Sequence, residues 1–176
     1  MRKADFLYFL LIFLAFGCTA SKTKNNPRKS PPTENLRISD TTNFENKIVF
    51  LTIRITQTDS VRDTYIFKVI HTIVANGKLK RNLLAAFPPE PNYLYCEILD
   101  DNKKRANYTR VENPLFKVYE FNDQPGSPLE KRVFKSTQGE FNLRFQLDKN
   151  SKYLSIYKAS SDYKTLKKIY NATISH

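Results

Sequence analysis

Apolar and polar positions alternate through most of the chain after residue 47. In Ile48-Val49-Phe50-Leu51-Thr52-Ile53-Arg54-Ile55-Thr56, the side chains of Val49, Leu51, Ile53 and Ile55 fall on one face. Thr52, Arg54 and Thr56 fall on the other. A period of two with β-branched residues predicts a strand buried on one side. Residues 65–74 form a second such run, Asn76-Gly77 follows, and 78–84 continues. That order predicts a hairpin, because both central positions of a tight two-residue turn favour positive φ. Residues 93–99 place Leu94, Cys96 and Ile98 on one face, Asp100-Asp101-Asn102-Lys103 reads as a turn, and 105–111 returns.

Residues 116–121 predict a further strand, and 122–128 a loop with two prolines and a glycine. Residues 130–136 predict an edge strand. Phe141, Leu143, Phe145 and Leu147 alternate without interruption, and 153–158 is another short run. The end of the chain reads two ways. Ser161 or Asp162 would cap a helix with Tyr163, Leu166, Ile169 and Tyr170 on one face. Residues 168–174 would instead form a last strand, the reading their β-branched and tyrosine content favours. Seven or more strands separated by turn signals predict an all-β domain over residues 47–176. The expected form is an antiparallel β-sandwich, immunoglobulin-like in architecture, with a barrel as the alternative. A domain of this length can bury one core without metal or disulfide staples.

The alternation is missing from the first 46 residues. Arg2 and Lys3 precede an apolar run of eleven residues, 6–16. A bilayer-spanning helix needs about 20 apolar residues, so the run is short for a membrane span. A positive start, a short apolar run and small residues after it describe a secretory signal peptide. Residues 19–46 are rich in Lys, Asn, Pro, Ser and Thr. So polar a segment cannot bury enough surface to offset its ordering entropy, which predicts a disordered tether over 18–46. As a coil it would reach roughly 30 Å.

Leu14-Ala15-Phe16-Gly17-Cys18 resembles the lipobox of bacterial lipoproteins, with a small residue before a cysteine. The resemblance covers residues 1–18. It implies a signal peptide over 1–17, cleavage between Gly17 and Cys18, and acyl chains on Cys18. Two or more acyl chains hold a protein stably at a membrane. Thr19 stands where an aspartate would retain a Gram-negative lipoprotein at the inner membrane, so the resemblance implies the outer membrane. Cys18-Thr19-Ala20 offers the alternative, ordinary cleavage after Ala20 and a soluble exported chain.

Charge adds a second theme. The chain carries 29 Lys and Arg against 17 Asp and Glu, a net charge of +12. In the cytosol that balance would suggest nucleic acid. The export signal removes that partner and leaves lipid phosphates, lipopolysaccharide and acidic polysaccharides as the anionic surfaces in reach. Lys103, Lys104, Arg105, Lys164, Lys167 and Lys168 are the candidate contacts, although basic turns also serve solubility and edge protection.

Candidate chemistry is sparse. His71 and His176 are the two histidines, and Cys96 is the one cysteine besides Cys18, so neither a His-rich metal site nor a disulfide framework is expected. Cys96 reads as a small buried hydrophobe. No cofactor-binding or nucleophile motif occurs. Glu97, Glu112, Glu120 and Glu140 are scattered, and Glu120 and Glu140 read as cross-strand ion-pair partners. Tyr93, Tyr95, Tyr108 and Tyr119 are candidates for a glycan or peptide face. The expected function is a non-enzymatic, lipid-anchored binding or scaffolding module of the cell envelope, without cofactor and with a protein or glycan partner. A glycan- or anionic-polymer-binding domain and a small two-carboxylate hydrolase are the alternatives.

Overall fold

The computed structural model describes residues 33–38, 46–80, 87–122 and 128–175. Ten strands run in the order β1 (Thr33–Arg37), β2 (Lys47–Asp59), β3 (Thr64–Asn76), β4 (Tyr93–Leu99), β5 (Arg105–Glu112), β6 (Phe116–Phe121), β7 (Glu130–Lys135), β8 (Gln138–Leu147), β9 (Tyr153–Ala159) and β10 (Leu166–Ser175). No helix occurs among the described residues. The strands form a five-stranded sheet, β1-β10-β9-β4-β5, a three-stranded sheet, β3-β2-β8, and a separate hairpin, β6-β7.

The period-two pattern explains the core. Val49, Leu51, Ile53 and Ile55 of β2 pack with Phe141, Leu143, Phe145 and Leu147 of β8, all buried. From the larger sheet come Leu94, Cys96 and Ile98 of β4, Leu154 and Ile156 of β9, and Ala172 and Ile174 of β10. Phe67 of β3 meets Tyr170 of β10 with ring centroids 4.6 Å apart. Two sheets sharing one apolar core is an arrangement compatible with a sandwich. Cys96 is a free, buried thiol, and burial pushes its pKa up, so it acts as packing.

Three features differ from the sequence-based expectation. First, β1 lies inside the stretch assigned to the tether over 18–46. It pairs in parallel with β10, and Leu36 and Ile38 are 4% and 1% exposed in the core. The folded part therefore begins ahead of Lys47. Second, Asn76-Gly77 does not turn a hairpin. It ends β3, Gly77 N–H donates to the Asn46 carbonyl at 2.6 Å, and residues 78–80 form no strand. The hairpin turn lies earlier, between β2 and β3, where the Asp59 carboxylate accepts the N–H groups of Val61 and Arg62. Third, among the described residues β7 pairs with β6 alone and borders neither larger sheet.

The end of the chain is the strand β10. Its register shifts between Lys168 and Tyr170, a bulge that buries Ile169 and Tyr170 in succession. The turns sort to two ends of the molecule. The 59–63 turn, the 160–165 turn and the root of β6-β7 gather at one end. The 100–104 and 148–152 turns and residues 76–80 gather at the other, where Lys152 N–H donates to the Leu99 carbonyl at 2.8 Å.

Candidate functional site

The β6-β7 hairpin is an arm fixed at its root and open along its length. Asn113 starts it: its side-chain oxygen accepts the Leu115 N–H at 3.1 Å, and its carbonyl accepts the Phe116 N–H at 3.1 Å. Leu115 is buried as a plug, and its carbonyl accepts the Ser136 N–H at 3.0 Å. Pro114 sits so close to β8 that a Cβ at Gly139 would meet its Cβ at 2.6 Å. Gly139→Ala is expected to cost about 1–3 kcal/mol through overpacking, read as a lowered urea midpoint.

Beyond the root the arm keeps apolar groups in water. Val118, Tyr119, Leu129, Val133 and Phe134 are 42–62% exposed. Tyr119 and Phe134 meet edge to face at 5.3 Å, and the Arg132 guanidinium lies 4.1 Å from the centroid of Phe121. A two-stranded hairpin is marginal on its own. A cluster of large exposed apolar side chains on such an element is the feature to explain, since a lone exposed one would mean little. Between the arm and the start of β8 lies a groove of about 620 Å³, with Tyr119, Phe121 and Phe134 on its walls and Lys117, Lys135 and Glu140 at its polar rim.

At the same end, Asp63 gathers charge. It holds a positive φ of 59° in the β2-β3 turn. Its carboxylate accepts Lys158 Nζ at 2.5 Å, Lys167 Nζ at 2.6 Å and the Tyr65 hydroxyl at 2.5 Å. Burial alone would raise its pKa, but the hydrogen bonds from Lys158, Lys167 and Tyr65 outweigh it and hold the group at about 2, below the usual 3.8. Burial, and then the bond to Asp63, push the Tyr65 hydroxyl up. A depressed carboxylate stabilises the fold above its unfolded pKa, and that contribution is lost as pH falls through the folded value. At this partly open site it is worth about 1 kcal/mol after solvent screening. Urea midpoints are expected to show wild type more stable than Asp63→Asn above about pH 4, with the gap closing toward pH 2.

The outward face of the five-stranded sheet carries a second network. Glu97 is buried at 8% exposure and pairs with the Arg105 guanidinium. Burial and a hydrogen bond to Glu97 push the Tyr157 hydroxyl up to about 12. Arg105 also lies 4.4 Å from the Tyr108 ring centroid. Arg110 pairs with Glu90 at 2.7 Å and stacks over Phe87 and Tyr93. Tyr95, fully buried, donates to the Pro88 carbonyl at 2.6 Å and accepts the Glu90 N–H at 2.7 Å.

These contacts sort the residues singled out from sequence. Gly17 and Cys18 lie outside the described residues. The basic candidates do not share a face. Lys103 and Lys104 are exposed in the β4-β5 turn, and Lys164 is exposed in the β9-β10 turn at the opposite end. The length of β4 separates the two turns, about 20 Å. Arg105 and Lys167 are ion-paired, and Lys168 lies over the Tyr157 ring at 5.3 Å. The tyrosines also separate: Tyr95 and Tyr108 are buried, Tyr93 is half-buried under Arg110, and Tyr119 alone of the four is exposed, on the arm. Glu140 pairs with Arg54 at 2.7 Å and Glu120 with Lys131 at 3.1 Å, as the cross-strand reading expects. His71 is exposed on β3.

The fold and the arm together define an all-β protein with a sandwich-like body and a projecting apolar hairpin. Compared with known proteins, the chain matches no family model, no curated protein and no solved structure.

Proposed function

We propose that this is an exported, lipid-anchored protein of the cell envelope, held by Cys18 at the outer membrane of a Gram-negative bacterium. On this reading it acts without catalysis, as a module that holds a partner polypeptide on its β6-β7 arm. The observation that carries the reading is the arm itself, an exposed apolar hairpin rooted firmly at one end of the body. Among the described residues β6 and β7 pair only with each other, so neither outer edge of the hairpin has a partner strand there. Such an edge accepts an extended segment by strand addition, with backbone hydrogen bonds giving affinity and side-chain pockets giving selectivity. The groove beside Tyr119, Phe121 and Phe134 suits an apolar anchor side chain. Lys117, Lys131, Arg132 and Lys135 outnumber Glu120 and Glu130 on the arm, which favours acidic flanks on the partner.

An immunoglobulin-like architecture belongs to the same proposal. The run β10-β9-β4-β5, with β1 parallel to β10, supports it. The facing sheet is arranged differently, since the edge strand β3, and not the central β2, leads into β4.

A photo-cross-linking side chain at Val133 in the full chain, expressed in cells, tests the arm. A discrete adduct is expected there and none from Lys104 at the opposite end. The adduct should map to one extended segment. A synthetic peptide of that segment should bind the purified protein about tenfold more weakly after Phe134→Asp. Equal labelling from both positions, or none, overturns the arm. Intact mass tests the anchor separately: a chain starting at Cys18 with acyl chains supports it, and a bare chain starting after Ala20 removes it.

A further inference from the structure

The connection between β3 and β4 builds a second concavity, away from the arm. Residues 77–80 fold over the outward face of β2 and β8, and Gln146 of β8 fastens them there. Its Oε1 accepts the Leu79 N–H at 2.9 Å, and its Nε2 donates to the Lys47 carbonyl at 2.7 Å. Leu79 is half-buried, and Lys78 and Lys80 on either side of it are exposed. Arg144, two residues before Gln146 on the same face of β8, is exposed as well. Together they line a groove of about 510 Å³, floored by Ile48 and Leu79 and walled by Thr109 of β5.

The charge of this groove is uncompensated. Several cations that lie against the sheets meet an acid: Arg54 meets Glu140, Arg105 meets Glu97, Arg110 meets Glu90, and Lys158 and Lys167 meet Asp63. Among the described residues lining this groove there is no carboxylate, and none of its three cations is in an ion pair. Three like charges around one concavity repel each other and focus a positive potential into it. An arginine offers two parallel donors to an oxyanion, and lysines add point charge. The volume is that of a small-molecule site.

We infer that this groove binds a phosphomonoester carried on a body about the size of a sugar. Lys78, Lys80 and Arg144 take the phosphate oxygens, and Ile48 and Leu79 lie under the body. A dianionic phosphate matches three cations better than a single carboxylate does. The phosphate comes from a soluble sugar phosphate or from a lipid headgroup, and both present the same group. The inference is independent of the arm and of the anchor.

Calorimetric titration of the full chain in non-ionic detergent at about 0.15 M salt, where surface charge is largely screened, tests it. The probes are glucose 6-phosphate and short-chain phosphatidic acid, with glucose and short-chain phosphatidylcholine as controls. At least one phosphate probe is expected to bind saturably at one site while both controls fail. The double variant Lys78→Gln, Arg144→Gln is expected to weaken that binding about tenfold or more. The variant Lys103→Gln, Lys104→Gln removes the same charge from a nearby turn and is expected to leave it unchanged. Binding of glucose 6-phosphate assigns the soluble source, and binding of phosphatidic acid alone assigns the headgroup. No saturable binding by either probe, or equal weakening by both double variants, overturns the inference.

Discussion

A chain that begins at Lys47 is expected to be less stable than one that begins at Pro31 by about 3–6 kcal/mol. Full burial of a Leu or Ile side chain is worth about 1.5–3 kcal/mol, and the shorter chain loses both Leu36 and Ile38. It also leaves the edge of β10 without the parallel partner that spans Asn171 to Ser175. The difference is large beside the 5–15 kcal/mol that holds a typical domain together. Urea unfolding of the two chains measures it. Leu36→Ala with Ile38→Ala in the full-length chain should recover most of the loss, because it empties the same two sites while keeping the β1 backbone. Equal midpoints would mean that β1 adds nothing to the fold.

Tyr95→Ala is expected to destabilise the protein by about 3–5 kcal/mol, and Tyr95→Phe by about 1–3 kcal/mol. The first removes a fully buried ring that stacks on Tyr108 at a centroid distance of 6.4 Å. The second isolates the hydroxyl. Burial raises the pKa of that hydroxyl, so it stays protonated at neutral pH and can donate to Pro88 while accepting from Glu90. Without it, a backbone carbonyl and a backbone amide lose their partner together. Hydrogen exchange at the Glu90 amide should accelerate in Tyr95→Phe at a position where the core amides of β2 do not change. Unchanged exchange there would show that the 87–92 segment is held by Phe87 and Arg110 and not by the tyrosine.

Strands with long uninterrupted alternation were legible from residues alone. β2 and β8 fall where Val49 to Ile55 and Phe141 to Leu147 put them, because one wet face and one dry face impose the period directly. β1 was not legible, since Leu36 and Ile38 are two apolar residues in a polar stretch and their burial depends on a partner far along the chain. The ambiguity over the last strand has a physical source in the bulge at Ile169. One extra residue shifts the phase, so Leu166, Ile169 and Tyr170 acquire the spacing of a helix face. Asn76-Gly77 carried the chemistry of a hairpin turn, but the Gly77 N–H donates to the Asn46 carbonyl and residues 78–80 are drawn to Gln146 of β8, so the chain does not return along β3.

The sites were less legible than the strands. Arg105 and Lys167 looked like surface charge in a linear reading and are neutralised by Glu97 and Asp63, which lie 8 and 104 positions away. Tyr95 and Tyr108 sit on the outward face of their sheet and read as half-exposed, but the returning segment at Phe87 to Pro91 covers them. The apolar content of the arm was visible in Val118, Tyr119, Val133 and Phe134. Its exposure was not, because nothing in those residues says that their two strands stand apart from both larger sheets.

The pairing of β1 with β10 also sets when the protein can finish folding. Ser175 Oγ reaches the Leu36 carbonyl across 139 positions of sequence, and among the described residues β1 borders no other strand. β1 must therefore wait for residues 166–175 to be made before it can pair. Sheets closed by such remote pairings form in milliseconds to seconds, far more slowly than locally paired ones. A chain that closes late remains threadable through a narrow pore for longer than one that folds as it emerges. It also couples two remote strands: removing β10 releases β1.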